Sequence, residues 1–465
     1  MYQGIDKQYH TDRATRYRIN EHEFASVDLS SEETQSLKEL SYKFNNILYV
    51  PSDVFYSYLN RTRRDDSIRI FERDNSNIEN SEGTDVISND VLDLNNKILE
   101  TLKCNTADKN LYYTDSDLVN FHVSMKAEGM VILSGLSGTG KSKLVSEYAN
   151  VLGITDSKVE DSSQLQFISV RPFWADDSDL LGYADTVNNV YRPGDSGLID
   201  TLITAQNNLD KLFIIVFDEM NLARVEHYFS QFLSVLEMAE GTKKLTLYNP
   251  QLEKRLYNSE KYPSTISIGE NILFVGTVNA DESTYQFSDK VLDRSNVITL
   301  EMVPFNQIAE FNGLGNENIT LSNICAKDFD ELKKNNKRAK LAQSEKEMLW
   351  ELHQAINKID KNIGIGWRIV KQINNYLINI PLDDNTYSRQ RAFDMQIVQR
   401  VLTKVRGSEE QIRTLVGSTQ LKDTNDSHGE LADIFDKYSD TSHFEKSREI
   451  LARKARELDL YGFTV

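Results

Sequence analysis

The chain has 465 residues, long enough for a substantial buried core, and carries a formal net charge of −18 at pH 7. Such an acidic balance excludes a protein that holds nucleic acid through an overall positive field. Two cysteines exclude a disulfide-rich scaffold, and the absence of a signal core or bilayer-length apolar stretch leads us to expect a cytoplasmic protein without membrane contact.

The first part of the chain, residues 1–74, is polar and locally rich in arginine. We interpret it as a small N-terminal region and a candidate recognition or partner-binding module. Helical spacing of Leu37 and Leu40 predicts a short helix from Ser31 to Phe44. Linker composition follows, and we assign residues 75–111 to a linker.

Residues 112–303 show the pattern of an α/β core. A helix-start signal at Thr114–Asp117 precedes the first of several short apolar strands separated by helices. Such strands predict a parallel sheet with helices on both faces; they are Met130–Leu133, Leu165–Val170, Leu212–Phe217, Asn271–Val275 and Val297–Leu300. Residues 304–465 become helical, with a capping box predicted at Ser344–Glu347, and we expect an α-helical lid there.

Residues 135–142 read Gly-Leu-Ser-Gly-Thr-Gly-Lys-Ser and match the phosphate-binding P-loop at every fixed position. An apolar strand precedes the octet and a helical pattern follows it, which is the context that the motif needs. Backbone N–H groups at the helix N-terminus would hold the phosphates. Lys141 would reach the β- and γ-phosphates, and Ser142 would ligate Mg²⁺. The expected nucleotide-binding residues are Gly135, Ser137, Gly138, Thr139, Gly140, Lys141, Ser142 and Lys143.

The apolar strand Leu212–Phe217 ends in two carboxylates, Asp218 and Glu219. Downstream of a P-loop, this is the Walker B arrangement, in which Asp218 binds Mg²⁺ and Glu219 polarises the attacking water. The alternative is an acidic pair that merely ends a strand.

Two further polar positions resemble parts of AAA+ proteins. Asn279 follows the next apolar strand and resembles the sensor 1 asparagine that orients the lytic water; a loop-capping role is the alternative. Arg294 ends the short helical segment before the last strand. This position resembles that of the arginine finger, which acts in trans on the neighbouring subunit's site. An interaction with the C-terminal end of its own helix is the alternative for Arg294.

Several segments together resemble the McrB-type branch of AAA+ motor proteins. They are Phe173–Tyr183, Asp218–Glu226, Gly276–Glu282, Ile365–Ile369, Arg391–Gln396 and Leu460–Thr464. The resemblance covers about residues 112–465. It implies a GTPase that assembles into a homo-oligomeric, hexameric ring and joins an McrC-like nuclease subunit to cut foreign DNA.

The resemblance also implies cofactors and roles. GTP, or ATP as the alternative, would bind with Mg²⁺, and Arg368 would act as a lid arginine that senses the γ-phosphate; packing against the lid is the alternative for Arg368. The ring would drive DNA translocation or activate the nuclease in anti-phage restriction, touching DNA directly or through its partner. A MoxR- or dynein-related ATPase that remodels a protein complex is the alternative function.

Two other segments need interpretation. Asn357–Asp360 spells the guanine-reading tetrapeptide of small GTPases, but it ends a predicted helix rather than a buried strand, and we interpret it as coincidence. Residues 241–269 contain four cationic side chains around alternating apolar residues. They predict a hairpin that contacts DNA or a partner, with a plain surface hairpin as the alternative.

Overall fold

A computed structural model of the chain describes residues 9–11, 14–20, 42–44, 47–51, 89–154, 158–159, 162–239, 241–279, 285–306, 324–333, 339–381, 387–418 and 429–464. The chain forms two compact units, Met1–Asp85 and Val86–Val465. Among the described helices, none combines the length and apolar character that crossing a membrane requires.

The first unit contains a four-stranded antiparallel sheet in the order β1-β2-β4-β3. Its strands are β1 (Tyr9–Thr11), β2 (Ala14–Asn20), β3 (Tyr42–Phe44) and β4 (Ile47–Pro51). The helix expected from Ser31 to Phe44 is therefore wrong at its end, because Tyr42–Phe44 is a strand. Phe44 pairs with Ile47 of β4. The rest of that expected helix lies outside the described residues.

The second unit begins with two helices, α1 (Asn89–Asp108) and α2 (Asp115–Ala127). Helix α1 occupies much of the segment that we expected to be a linker. Ile98 and Leu102 of α1 are fully buried in the same apolar cluster as the P-loop strand. The predicted start of α2 is confirmed, since Thr114 is its N-cap and exchanges hydrogen bonds with Asp117 in a capping box.

The strands of this unit are numbered β5 to β15. They are β5 (Met130–Gly135), β6 (Lys158–Val159), β7 (Ser162–Ser163), β8 (Leu165–Ser169), β9 (Gly182–Asp185), β10 (Val190–Pro193), β11 (Phe213–Asp218), β12 (Lys244–Thr246), β13 (Thr265–Ser267), β14 (Ile272–Asn279) and β15 (Asn296–Thr299). Five of them form a parallel sheet in the order β15-β5-β14-β11-β8. All five strands expected from apolar runs are confirmed.

Both faces of this sheet are covered. Along β11, Phe213, Ile215 and Phe217 pack into one apolar cluster, whereas Ile214 and Val216 pack into another. Successive side chains of a strand point to opposite faces, so a continuous apolar run implies burial on both sides. The helices of the core are α3 (Lys141–Val151), α4 (Asp177–Leu181), α5 (Leu198–Asn207), α6 (Val225–Tyr228), α7 (Ser230–Val235) and α8 (Asp289–Leu292).

Beyond β15 the described chain is almost entirely helical, as expected. Its elements are α9 (Ala326–Glu331), α10 (Gln343–Ile359), α11 (Trp367–Leu377), α12 (Arg389–Arg400), β16 (Gly407–Ser408), α13 (Glu409–Val416), α14 (Glu430–Lys437), α15 (Glu445–Tyr461) and β17 (Phe463–Thr464). A separate apolar cluster fills the space between α10 and the helices that follow it.

The predicted capping box of α10 is displaced by two residues. Ala342, not Ser344, is the N-cap, and Glu345 Oε2 accepts a hydrogen bond from the Ala342 amide at 2.7 Å. Glu345 is buried and also pairs with Arg389, which draws its carboxylate toward the start of the helix. The tetrapeptide Asn357–Asp360 ends α10, as the coincidence interpretation requires.

Candidate nucleotide-binding site

The glycine-rich loop leaves the carboxyl end of β5 and enters α3 directly. Gly140 has a φ of +83° and immediately precedes the first helical residue, Lys141. A Cβ atom at Gly140 would lie 2.3 Å from Tyr113 Oη, and one at Gly135 would lie 2.7 Å from the Leu300 carbonyl oxygen. These two positions therefore require glycine on both conformational and steric grounds.

Tyr113 contacts the last glycine of the loop. Its hydroxyl donates a hydrogen bond to the Gly140 carbonyl oxygen at 2.9 Å. Burial, and to a lesser extent the nearby charge of Glu147, raise the pKa of Tyr113 well above its usual range. The phenol therefore stays a neutral donor at any physiological pH, and it fixes the residue on which α3 begins.

Lys141 and Ser142 occupy the first two positions of α3. The Lys141 side chain is largely buried, and its Nζ donates to the carbonyl oxygens of Gly135 at 3.0 Å and Leu136 at 2.8 Å. Ser142 Oγ donates to Asp218 Oδ1 at 2.6 Å. The P-loop serine and the strand-end aspartate, which are 76 residues apart in the chain, thus meet directly.

A second set of hydrogen bonds joins the ends of β11 and β14. Asp218 Oδ1 also accepts from Thr277 Oγ1 at 2.7 Å, and Thr277 Oγ1 accepts from the Glu219 amide at 3.0 Å. Asn279 Nδ2 donates to Glu219 Oε1 at 2.9 Å. Thr277 and Asn279 are two residues apart on β14, so both side chains face the same side of the strand. The two carboxylates and the predicted sensor asparagine are therefore held as one unit.

The backbone at Glu219 is unusual. Its φ is +53°, in the left-handed region that non-glycine residues rarely adopt. Strained residues of this kind cluster at functional sites, where the surrounding contacts hold them in place. Here the amide of Glu219 is held by Thr277 and its carboxylate by Asn279.

The register of the sheet brings these groups to one edge. Asn279 is paired with Gly135, and Asp218 ends the strand on the other side of β14. Oxygen ligands such as a serine hydroxyl and an aspartate carboxylate suit Mg²⁺, which binds few protein groups and keeps substrate phosphates and waters as its other ligands. Ser142 and Asp218 fit that description. The edge can hold a phosphate chain, a hard cation and a carboxylate that faces them.

The structure does not bring Arg294 and Arg368 to this edge. Arg294 donates to the Lys290 carbonyl oxygen and forms an ion pair with Glu237. Arg368, near the start of α11, pairs with the same Glu237 oxygen at 2.7 Å. Arg294 and Arg368 therefore share one carboxylate partner, which belongs to a third segment of the chain.

Two groups of this region were not singled out from the sequence. Thr277 lies within an apolar strand, where a threonine is ordinarily a β-former, and only its alternation with Asn279 points to the site. Asn221 Nδ2 donates to the Asn279 carbonyl oxygen at 3.0 Å, while its Oδ1 is buried without a hydrogen-bond partner among the described residues. Asn221 thus holds the backbone of the last residue of β14. Asp281 and Glu282, which belong to the motif after Asn279, lie outside the described residues.

The basic segment 241–269 forms the expected hairpin in part, through β12 and β13. Leu245 and Ile266 are completely buried in the apolar cluster that covers one face of the parallel sheet. Lys243 is paired with Glu270 at 2.8 Å. Lys244 remains exposed. Much of the segment is thus anchored to the core, and part of its positive charge is neutralised within the chain.

Comparisons with known proteins add the following. No curated protein matches the chain. A family model described as "Domain of unknown function (DUF8727)" matches residues 318–463, within the helical part. A solved structure from Cytophaga hutchinsonii ATCC 33406, described as a "putative ATPase", is similar with a TM-score of 0.40 and 16% sequence identity, over 62% of this chain and 79% of that chain.

The fold class follows from the strand order and the loop geometry. The chain has an α/β core with a glycine-rich loop at the carboxyl end of β5, an inner strand of a five-stranded parallel sheet. The P-loop strand β5 is separated from the Walker B strand β11 by β14, which carries Asn279 at its tip. Helices cover both faces of the sheet, and a helical region follows the last strand, as the sequence predicts.

Proposed function

We propose that this chain is a Mg²⁺-dependent nucleoside triphosphatase that assembles into a ring motor. The observation that carries the proposal is the set of hydrogen bonds at the sheet edge: Ser142 and Thr277 on Asp218, and Asn279 on Glu219. A P-loop beside an unrelated acidic turn would not require these contacts. They support a role for Asp218 as a cation ligand and for Glu219 as a general base beside the P-loop.

The residues divide the reaction between them. Lys141 and the N-terminal amides of α3 would hold the β- and γ-phosphates. Ser142 and Asp218 would hold Mg²⁺, which neutralises charge on the phosphate oxygens. Glu219 would take a proton from a water molecule as its oxygen attacks the γ-phosphorus. The bond from that phosphorus to the β,γ-bridging oxygen breaks, and the nucleoside diphosphate leaves with the electron pair. Asn279 keeps the Glu219 carboxylate in position.

The finer proposal is that GTP is the preferred nucleotide and that an McrC-like nuclease is the partner. It is supported by the sequence resemblance to the McrB-type branch. The net charge of −18 and the pairing of Lys243 with Glu270 favour DNA contact through the partner rather than through this chain alone. Binding of the triphosphate between adjoining copies would build the ring, and hydrolysis would drive translocation or nuclease activation in anti-phage restriction.

The test is phosphate release by the purified full-length chain with Mg²⁺ and either GTP or ATP, with and without a nuclease subunit encoded beside it. We expect GTP turnover that rises when the nuclease is added. Glu219→Gln should lower kcat by about 10²- to 10⁴-fold while nucleotide binding is retained, because only proton transfer is removed. Glu260→Gln is the matched control, because Glu260 is an exposed glutamate in the α/β part of the chain. This variant should behave as wild type.

Three other results would contradict the proposal in whole or in part. Turnover with ATP alone, unaffected by a nuclease, would replace the restriction proposal with the protein-remodelling ATPase. Turnover that survives Glu219→Gln unchanged would remove Glu219 from its role. Absence of turnover with either nucleotide, in the presence of nuclease and DNA, would refute the proposal as a whole.

A further inference from the structure

The carboxyl end of helix α1 is attached to the P-loop helix α3 by an ion pair. Lys109, the residue after α1, places its Nζ 2.7 Å from both carboxylate oxygens of Glu147. Glu147 lies on α3 six residues after Lys141, which is about 9 Å along the helix axis. Its side chain is 5% exposed, so displacement of α1 would leave a buried carboxylate without its cation on the P-loop helix.

A buried series of hydrogen bonds also joins α1 to α3, by way of α2. His122 Nε2 lies 2.9 Å from Asn95 Oδ1, an oxygen that can only accept, so Nε2 carries the proton. His122 Nδ1 then accepts from Tyr148 Oη at 2.9 Å. Burial, and to a lesser extent the charge of Lys126, lower the pKa of His122 well below its usual range, so the ring stays neutral. Asn95, His122 and Tyr148 thus tie the three helices together.

The chain that follows α1 runs directly to the P-loop. The Leu111 amide donates to the Thr106 carbonyl oxygen at 2.9 Å, which folds this segment back against the end of α1. A Cβ atom on Gly140 would lie 3.4 Å from Leu111 Cδ2, and Tyr113 donates to the Gly140 carbonyl oxygen. Residues 109–113 therefore contact α3 at two points, at its first turn and again at Glu147.

The contacts of α1 are mostly polar. Among its described side chains, Ile98 and Leu102 are the apolar ones that are fully buried. Its other buried positions are polar, and they are Asn95, Thr101, Asn105 and Thr106. Polar interfaces of this kind are typical of elements that move relative to their neighbours. Because buried polar groups are costly when only partly satisfied, α1 should be either docked with these bonds made or displaced with them lost.

We propose that residues 89–113 form a regulatory strap on the nucleotide site, such that docking of the strap and binding of the triphosphate favour each other. This inference rests on the proposed triphosphatase function. The strap holds Gly140 and Glu147, so its displacement shifts the start of α3. The amides and the Lys141 side chain that would hold the phosphates then lose their positions. Coupling between two binding events is reciprocal, so bound nucleotide must also hold the strap in place.

The test measures both directions of this coupling in the full-length chain with Mg²⁺ and GTP or ATP. Hydrogen exchange of the α1 amides should slow about 10-fold at saturating nucleotide, because exchange requires α1 to leave its site. Tyr113→Phe keeps the ring and removes the hydroxyl that holds Gly140. It should weaken nucleotide binding about 3- to 10-fold, and the slowing of α1 exchange should fall below about 3-fold. Tyr257→Phe, at a tyrosine that is 83% exposed, is the matched control and should match wild type in both measurements.

A second variant removes the ion pair without leaving a buried charge. Lys109→Met combined with Glu147→Gln should speed α1 exchange about 10-fold in the absence of nucleotide and weaken nucleotide binding. Lys327→Met combined with Glu331→Gln removes an exposed ion pair of α9 and is the matched control, which should change neither quantity. This pair of variants decides the question if Tyr113→Phe does not fold.

The result that overturns the inference is a chain that binds nucleotide normally while α1 exchange stays the same at saturation. Wild-type affinity and wild-type slowing in Tyr113→Phe and in the ion-pair variant would overturn it equally. In both cases the triphosphatase proposal stands, since it is judged by phosphate release and by Glu219→Gln. A wild-type chain that binds neither nucleotide would instead refute the triphosphatase proposal itself, which is a distinguishable result.

Discussion

Thr277 provides the sharpest test of how the candidate site is held together. Its hydroxyl donates to Asp218 Oδ1 at 2.7 Å and accepts from the Glu219 amide at 3.0 Å, and the side chain is 2% exposed. Thr277→Val keeps the shape and removes both hydrogen bonds. We therefore expect two separable effects, one on stability and one on catalysis.

The stability effect follows from the two bonds. A hydrogen bond to a charged acceptor contributes about 1.5–3 kcal/mol, and a buried donor left without an acceptor costs about 1–3 kcal/mol. Glu219 is an exposed residue, so we take the second cost at its lower limit. The expected loss is therefore about 2.5–4 kcal/mol, measured by urea unfolding of the full chain.

The catalytic effect follows from what Thr277 positions. It contacts the side chain of Asp218 and the backbone of Glu219 at once, so both carboxylates lose a restraint. Loss of such outer-shell partners typically costs 10- to 100-fold, and we expect about that decrease in kcat from phosphate-release kinetics. Thr277→Ser, which keeps the hydroxyl and loses only a methyl group, is the matched control. Equal rates for Thr277→Val and wild type, or equal losses for the two variants, would refute this reasoning.

Three further outcomes are expected. Gly140→Ala should abolish binding of a fluorescent nucleotide analogue, because the new methyl would meet Tyr113 Oη at 2.3 Å and φ is +83°; unchanged affinity would contradict the loop geometry. Arg400→Met should destabilise the chain by about 3–5 kcal/mol in urea, because it leaves the fully buried Glu128 carboxylate without its cation; adding Glu128→Gln should recover part of that loss. Burial lowers the pKa of Lys126 to about 7, so the unfolded chain binds more protons than the folded chain between pH 7 and the normal lysine range. Stability should therefore rise from pH 7 to 9 by up to about 1.4 kcal/mol per unit from this group, and Lys126→Met should remove that part of the slope in unfolding curves.

The parts of the fold that could be predicted are those whose motif occupies one continuous segment of the sequence. The P-loop octet, its flanking strand and helix, and the apolar run ending in Asp218 each occupy one short segment. The parallel sheet follows from them, since buried strands read as continuous apolar runs. The sequence also predicted that Asn279 ends a strand, and its register opposite Gly135 places it beside the loop.

Other features depend on tertiary contacts that no single segment reveals. Helix α1 has a polar composition, and only the stripe containing Ile98 and Leu102 is buried, against partners further along the chain. The polar sequence of this segment therefore predicts a linker rather than a helix. Arg294 and Arg368 receive their expected roles from the family resemblance, but their common partner Glu237 belongs to a third segment. A single glutamate after a short helix carries no signal by itself.

Strand β5 connects the two halves of the mechanism. Its carboxyl end delivers the P-loop beside the acidic pair Asp218 and Glu219, and its amino end lies next to the arginine pair held by Glu237. In the proposed ring, the P-loop and the acidic pair of one copy and Arg294 of the adjoining copy would together complete each nucleotide site. Hydrolysis would then depend on assembly, because the amino end and the carboxyl end of β5 lie at opposite ends of the sheet.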